Sequence, residues 1–247
     1  MMDHLPNMQD NRPAGFDFKD PMEMAAGDLI FEEDKTKWPV MNIPFDGEAT
    51  FTVNYYDWEA RRLETFKDMK ITKYIDSTGN RALSMFSMND PLRGGIRKSN
   101  SFFNFNQQHV VMSDPDNTKQ CFQLDLPEAF NLHDYIDRLK KEEGGLAVYL
   151  GVKTLRWGIN DDDTKGKLYY AFRLDENWFD QEVRKIVYFD WDTKELAWIE
   201  VVKPFFFVMK VENGIKKRKF TDEDYKDVLT ECPRKPSLAS FFSNKKN

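Results

Sequence analysis

Met69-Lys70-Ile71-Thr72-Lys73-Tyr74-Ile75, then Asp76-Ser77-Thr78-Gly79-Asn80, then Arg81-Ala82-Leu83-Ser84-Met85-Phe86-Ser87-Met88: this stretch decides the fold class. Its first part alternates apolar and polar side chains, the period of a half-buried strand. Ser77-Thr78-Gly79-Asn80 supplies turn chemistry, and 82–88 reads as the returning strand. An antiparallel hairpin follows.

The same signals recur on both sides. Phe51-Thr52-Val53-Asn54-Tyr55-Tyr56 is β-branched and aromatic, as strands prefer. Residues 61–67 fit helix or strand equally. His109-Val110-Val111-Met112 and Gln120-Cys121-Phe122-Gln123-Leu124 flank Asp114-Pro115-Asp116-Asn117, a second hairpin. A helix follows: Asn131 caps it, Leu132, Tyr135, Ile136 and Leu139 share a face, and Gly144-Gly145 ends it. Strands are expected at 146–150, 153–157, 167–174, 183–191, 196–203 and 205–211. Asp192-Thr193-Lys194-Glu195 and Glu212-Asn213-Gly214 read as tight turns. A last helix is expected over 222–231, capped by Thr221 with Asp224 at its third position and stopped by Pro233.

The expected fold is therefore mainly β (α+β): an antiparallel barrel or curled sheet, with an OB-like barrel among the candidates, two short helices and flexible termini. Residues 1–46 read as a flexible acidic arm with short docking segments, Leu29-Ile30-Phe31, Trp38-Pro39-Val40 and Ile43-Pro44-Phe45. The prolines forbid helix there. The β-rich body spans 47–220, the helix 221–232 and a tail 233–247.

Composition narrows the class. In 247 residues, 40% hydrophobic and 15% aromatic side chains can fill a sizeable core, which excludes a disordered chain. The net charge of −6 divides as −6 over 1–47, −3 over 48–210 and +3 over 211–247. A near-neutral body argues against a duplex-DNA binder. Cys121 and Cys232 stand far apart, which reads as a reducing compartment rather than a disulfide scaffold. His4, His109 and His133 form no zinc spacing. No apolar run approaches the roughly 20 residues that cross a bilayer, and residues 1–20 lack signal-peptide character. The expectation is an intracellular protein with no membrane partner.

The functional clue is Arg234-Lys235-Pro236-Ser237-Leu238-Ala239-Ser240-Phe241-Phe242-Ser243-Asn244-Lys245-Lys246-Asn247. Leu238, Phe241 and Phe242 lie at i, i+3 and i+4, so one helical turn sets them on one side as an apolar plug. The peptide resembles the box by which replication and repair proteins bind the sliding clamp, the PCNA-interacting peptide: Gln, two residues, an aliphatic, two residues, two aromatics. Leu238 takes the aliphatic place and Phe241-Phe242 the aromatic pair, with Arg234, Lys245 and Lys246 as basic flanks. Lys235 stands where the family has glutamine and cannot copy its hydrogen bonds. The resemblance covers about eight residues and implies clamp docking through Lys235, Leu238, Phe241 and Phe242. The alternative is a plug that packs on its own body or on another partner.

A second candidate surface runs over 92–106. It joins flexible glycines to Arg93, Arg97, Lys98, Phe102, Phe103 and Phe105. Cations that track phosphates beside aromatic faces that stack bases bind single strands. The competing reading is a hairpin followed by a core strand. Lys216-Lys217-Arg218-Lys219 is a second basic run, read as a phosphate contact, a nuclear import signal or a charged edge strand. Asp161-Asp162-Asp163, Asp190, Asp192, Glu195 and Glu200 are the acids from which a two-metal nuclease site would be drawn. No phosphate loop, serine elbow or cysteine nucleophile signature occurs.

Together these features point to a non-catalytic DNA replication or repair accessory protein without cofactors. It binds single-stranded DNA by its body and a sliding clamp by its tail. Homo-oligomer formation stays open. It would work in the nucleus or at the site of replication, or in the cytoplasm of a prokaryote or phage-infected cell; a viral or phage origin fits. The alternatives are a protein adaptor that recruits a clamp or polymerase, and a clamp-tethered metal-dependent nuclease.

Overall fold

The computed structural model describes residues 38–57, 62–89, 94–126, 128–155, 166–178, 181–203 and 206–234. Among the described residues eleven strands form one antiparallel sheet. They are β1 (Asp46–Asp57), β2 (Arg62–Asp76), β3 (Arg81–Asn89), β4 (Ile96–Asn104), β5 (His109–Asp114), β6 (Asn117–Asp125), β7 (Ala147–Lys153), β8 (Tyr169–Trp178), β9 (Gln181–Asp190), β10 (Leu196–Lys203) and β11 (Phe207–Lys217). Their order is β6-β5-β4-β3-β2-β1-β11-β10-β9-β8-β7. Two meanders thus meet at a β1–β11 seam, where Phe51 faces Val211 and Val53 faces Met209. Among the described residues, β6 and β7 are the outermost strands.

The sheet curls, as the α-helix between the meanders, α1 (Leu132–Leu139), makes plain. Leu132 and Ile136 pack in one cluster with Val110 of β5 and Leu124 of β6. Tyr135 on the same helix donates its hydroxyl hydrogen to Glu176 of β8. From β5 to β8 is eight inter-strand steps, about 38 Å on a flat sheet. An eight-residue helix is only about 12 Å long. One short helix reaches both arms only if the sheet bends around it, so the face carrying these residues is concave.

Register assigns the remaining side chains. Ile71, Lys73 and Ile75 face inward with Ala49 and Phe51 of β1 and with Ala82, Ser84 and Phe86 of β3. From the other arm come Phe172, Leu174 and Glu176 of β8 and Lys185, Val187 and Phe189 of β9. Much of this lining is the main core, to which Met41 and Trp38 add from the chain before β1. Trp38 lies 5.1 Å from the Phe172 ring.

The convex face is covered in two places. Leu155 lies over Tyr169, Ala171, Ile186, Tyr188, Trp198 and Val208. Phe220, Tyr225 and Val228 lie over Tyr74, Leu83, Met85 and Phe102.

Three local expectations are corrected, and one reading left open is settled. Residues 62–67 are strand, because Glu64 and Thr65 pair with Tyr55 and Asn54. Of the strands expected over 146–150 and 153–157, the described residues 146–155 hold one, Ala147–Lys153, with Gly151 at φ 93° within it, and 156–157 lie outside the described residues. Asn213-Gly214 takes the positive φ angles a turn requires, 60° and 66°. It nevertheless makes a bulge within β11, opposite the register shift between Glu48 and Thr50.

The helix expected over 222–231 is a single 3₁₀ turn, Asp222–Tyr225. The Thr221–Asp224 capping box forms as read, but the chain must then cross the sheet. Tyr225 sits over Leu83 of β3, and Cys232 reaches Cys121 of β6. Those three inter-strand steps are about 14 Å, whereas seven helical residues rise only about 10 Å. An extended strap makes the distance and a helix does not.

Candidate functional site

The strap ends in a fixed mount. Cys232 is disulfide-bonded to Cys121, with Cα atoms 5.8 Å apart. This corrects the reading of two separated thiols, and with it the argument for a reducing compartment. The Gln123 amide donates to the Pro233 carbonyl at 3.1 Å, and Gln123 and Arg234 form a parallel bridge. A ring nitrogen of His109 lies 3.2 Å from the Thr230 carbonyl. The strap therefore lies along the β6 edge and satisfies part of it. Arg234 is the last described residue, exposed beside Asp125. Lys235, Leu238, Phe241 and Phe242 lie outside the described residues, as do Leu29-Ile30-Phe31.

The residues proposed to hold single-stranded DNA do not converge. Arg93 lies outside the described residues. Neighbouring residues of a strand point to opposite faces, which parts Phe102 from Phe103. Phe102 is 3% exposed on the convex side, with its ring 5.6 Å from that of Tyr225. Phe103 turns inward, half-buried, and stacks 5.9 Å from Phe105, which is buried against Phe130 at 4.7 Å. Protein rings already hold the faces of Phe102 and Phe105, which corrects their reading as base-stacking platforms.

The cations are dispersed as well. Lys98 pairs with Asp116 at 3.4 Å. Arg218 is pinned by Glu48 at 2.5 Å and by Asp224. Its planar group lies 4.9 Å from the Tyr74 ring centre. Lys216 and Lys217 are exposed. Through the register Lys217–Gly47–Ile75–Ala82–Phe103, Lys217 stands level with Phe103, at the far end of β4 from Arg97 and Lys98. That is roughly 20 Å along the strands and four spacings, roughly 19 Å, across them.

The acids divide too. Asp161, Asp162 and Asp163 lie outside the described residues. The Asp190 carboxylate accepts from the Asp192 and Thr193 amides, so it shapes the β9–β10 turn. Glu200 is buried and accepts from the Tyr188 hydroxyl at 2.8 Å, where burial, first, and the Glu200 charge, second, hold the phenol well above its usual range. Among the described residues no three His, Cys, Asp or Glu side chains converge to hold a metal.

One polar grouping escaped the sequence reading. On the concave face Lys73 stands opposite Ser84, and Ser84 opposite Ser101, a polar rung across β2, β3 and β4. The Lys73 ammonium lies 5.5 Å from the Phe51 ring centre. From the other arm, Lys185 donates to Glu176, and Glu176 also accepts from Tyr135. Lys73 keeps partial exposure, yet burial, first, and the Lys185 charge, second, lower its pKa to about 8, which Glu176 offsets only in part. Its signal was present: Met69, Ile71 and Ile75 share its parity, so a lysine among them had to point at the core.

No family model matches the sequence, and no curated protein matches it. Among solved structures, the chain is similar to an uncharacterized conserved protein from Thermus thermophilus, at 10% identity and a TM-score of 0.40, over 78% of this chain and 91% of that one. It is also similar to PNGF-II, at 10% identity and a TM-score of 0.38, over 80% of this chain and 32% of that one. Likeness at that level says nothing about activity.

Proposed function

We propose that this chain is a non-catalytic replication or repair adaptor that docks on a sliding clamp through Lys235, Leu238, Phe241 and Phe242. The observation that supports the reading is the mount. Cys232 and Pro233 fix the chain to the β6 edge, so the docking peptide departs from a defined point three residues beyond the disulfide. A tether that starts from a fixed point raises the local concentration of whatever the body carries near the ring. It would act in the nucleus or wherever the clamp is loaded, in the cytoplasm for a prokaryotic or phage system, and in such reducing surroundings the bond from the Gln123 amide to the Pro233 carbonyl would hold the mount.

The test is calorimetric titration of the whole protein into a trimeric PCNA-type clamp. Buried aromatic anchors of docking peptides are worth about 2 kcal/mol or more each. Leu238→Ala and the pair Phe241→Ala/Phe242→Ala are expected to weaken docking by about thirtyfold or more. Undiminished binding by the double variant sinks the proposal.

Single-strand binding is the second reading, favoured by the exposed Lys216 and Lys217, for which no described carboxylate lies in ion-pair reach. A gel shift with a labelled oligothymidylate at low salt tests it. Its loss in Lys216→Ala/Lys217→Ala supports that reading, and no shift by the wild type ends it.

A further inference from the structure

The polar rung is the feature that neither docking nor strand binding uses. Lys185 and Glu176 balance each other as a pair, so Lys73 brings one uncompensated positive charge to the concave face. No described carboxylate lies in ion-pair reach of it, and no hydrogen bond to a described residue engages the Ser84 or Ser101 hydroxyl. A half-buried cation held away from carboxylates is costly, and an anion would offset that cost.

The surroundings define that anion. Ile71, Phe86 and Met112 share the face with the rung and keep part of their surface exposed, while the β8–β10 half of the same face is closed by Phe172, Val187 and Phe189. The partly exposed apolar wall therefore lies on the side of the bowl where Lys73 stands. Arg97 shares this face of β4 but is already engaged within the protein, which leaves the single charge of Lys73 to match a monoanion and the apolar walls to match an apolar body.

We propose that the concave face over β2–β4 binds a monocarboxylate with a long apolar body, of the fatty-acid class. Its carboxylate is held by Lys73, Ser84 and Ser101, and its chain lies along Ile71, Phe86 and Met112. The site is independent of the clamp-docking tail.

The test is calorimetric titration of the full chain with sodium dodecanoate below its micelle concentration, beside dodecan-1-ol and dodecyltrimethylammonium. One-to-one binding of dodecanoate is expected, about tenfold or more tighter than the alcohol, since a charge-assisted hydrogen bond outweighs a neutral one by roughly that factor. The trimethylammonium compound should not bind. Lys73→Met and Ser101→Asp should each weaken dodecanoate about tenfold or more at an unchanged circular dichroism spectrum, whereas Lys98→Ala, on the convex face, should not. Wild-type protein that ignores dodecanoate, or takes acid and alcohol equally, overturns the assignment without any variant. So does folded Ser101→Asp protein with wild-type affinity, even if Lys73→Met fails to fold.

Discussion

Removing the Cys121–Cys232 bond tests how the strap is held. The bond closes a loop of 111 residues. In the chain-entropy description, a loop of that length removes about 16 cal/mol/K from the unfolded ensemble, about 4.8 kcal/mol at 25 °C. Native-state relaxation lowers the measured figure, so about 3–5 kcal/mol is expected. The double variant Cys121→Ser/Cys232→Ser should show it against oxidised wild type in urea unfolding followed by tryptophan fluorescence. With a slope of about 2 kcal/mol/M, the midpoint falls by about 1.5–2.5 M. Wild type in reductant should move to the same midpoint, which separates loss of the bond from any effect of the serines. Amide exchange adds a local signature. The Gln123 amide, bonded to Pro233, should lose protection before its neighbours in β6. Midpoints that agree within about 0.5 M between oxidised wild type and the serine variant would refute the reasoning, since the strap would then be held by packing alone.

Four other outcomes follow from particular contacts. Phe102→Ala empties a site between Leu83 and Tyr225 and should cost about 3–5 kcal/mol in urea unfolding. Lys73→Met should stabilise the protein at pH 7. The folded pKa of Lys73, about 8, lies below its ordinary 10.5, so the unfolded chain holds the proton more tightly and wild-type stability rises between those values. The advantage of the methionine variant should therefore shrink from pH 8 to pH 10.5, and a constant advantage would contradict it. Burial raises the Asp46 pKa, but hydrogen bonds from Thr78 and Ser77 outweigh it and leave the group below 3.8. Its stabilisation is present above the unfolded value and lost as pH falls through the folded one, so Asp46→Asn should flatten the acid limb of the pH–stability curve below about pH 4. Gly47→Ala would set a methyl 2.8 Å from Ile215 Cγ2, 3.0 Å from Pro44 Cγ and 3.1 Å from the Lys216 carbonyl oxygen. A drop of about 1–3 kcal/mol is expected in thermal melts at constant pH.

The strands were legible because their alternation is local. Met69 to Ile75 shows its inward side without knowledge of its neighbours. What depended on distant chain was not legible. Asn213-Gly214 carries the dihedral chemistry of a turn, and only the arrival of β1 from the opposite end of the body makes it a bulge. The helix signals after Thr221 are sound for one turn, and the distance to Cys121 then overrides them. Pairing of the two cysteines needs β6 and the strap to meet, which no spacing in the sequence encodes. The run Phe102-Phe103 looked like one aromatic surface in the sequence, although strand parity already divides it. Lys73 was the reverse case, since its position among inward apolar residues was visible and only its neighbours Ser84, Ser101 and Lys185 were not. The docking peptide is read from sequence alone.

The β1–β11 seam has a consequence for synthesis on the ribosome. Val53 pairs with Met209 and Phe51 with Val211, so one side of β1 has no partner until the last strand emerges. At about 5–20 residues per second the intervening stretch of roughly 156 residues takes about 8–30 s to translate. For that interval the nascent chain displays an apolar strand with open amides to its surroundings. Holdase chaperones that recognise extended apolar segments should therefore engage the amino-terminal half for longer than in a chain whose first strand is flanked by strands made soon after it.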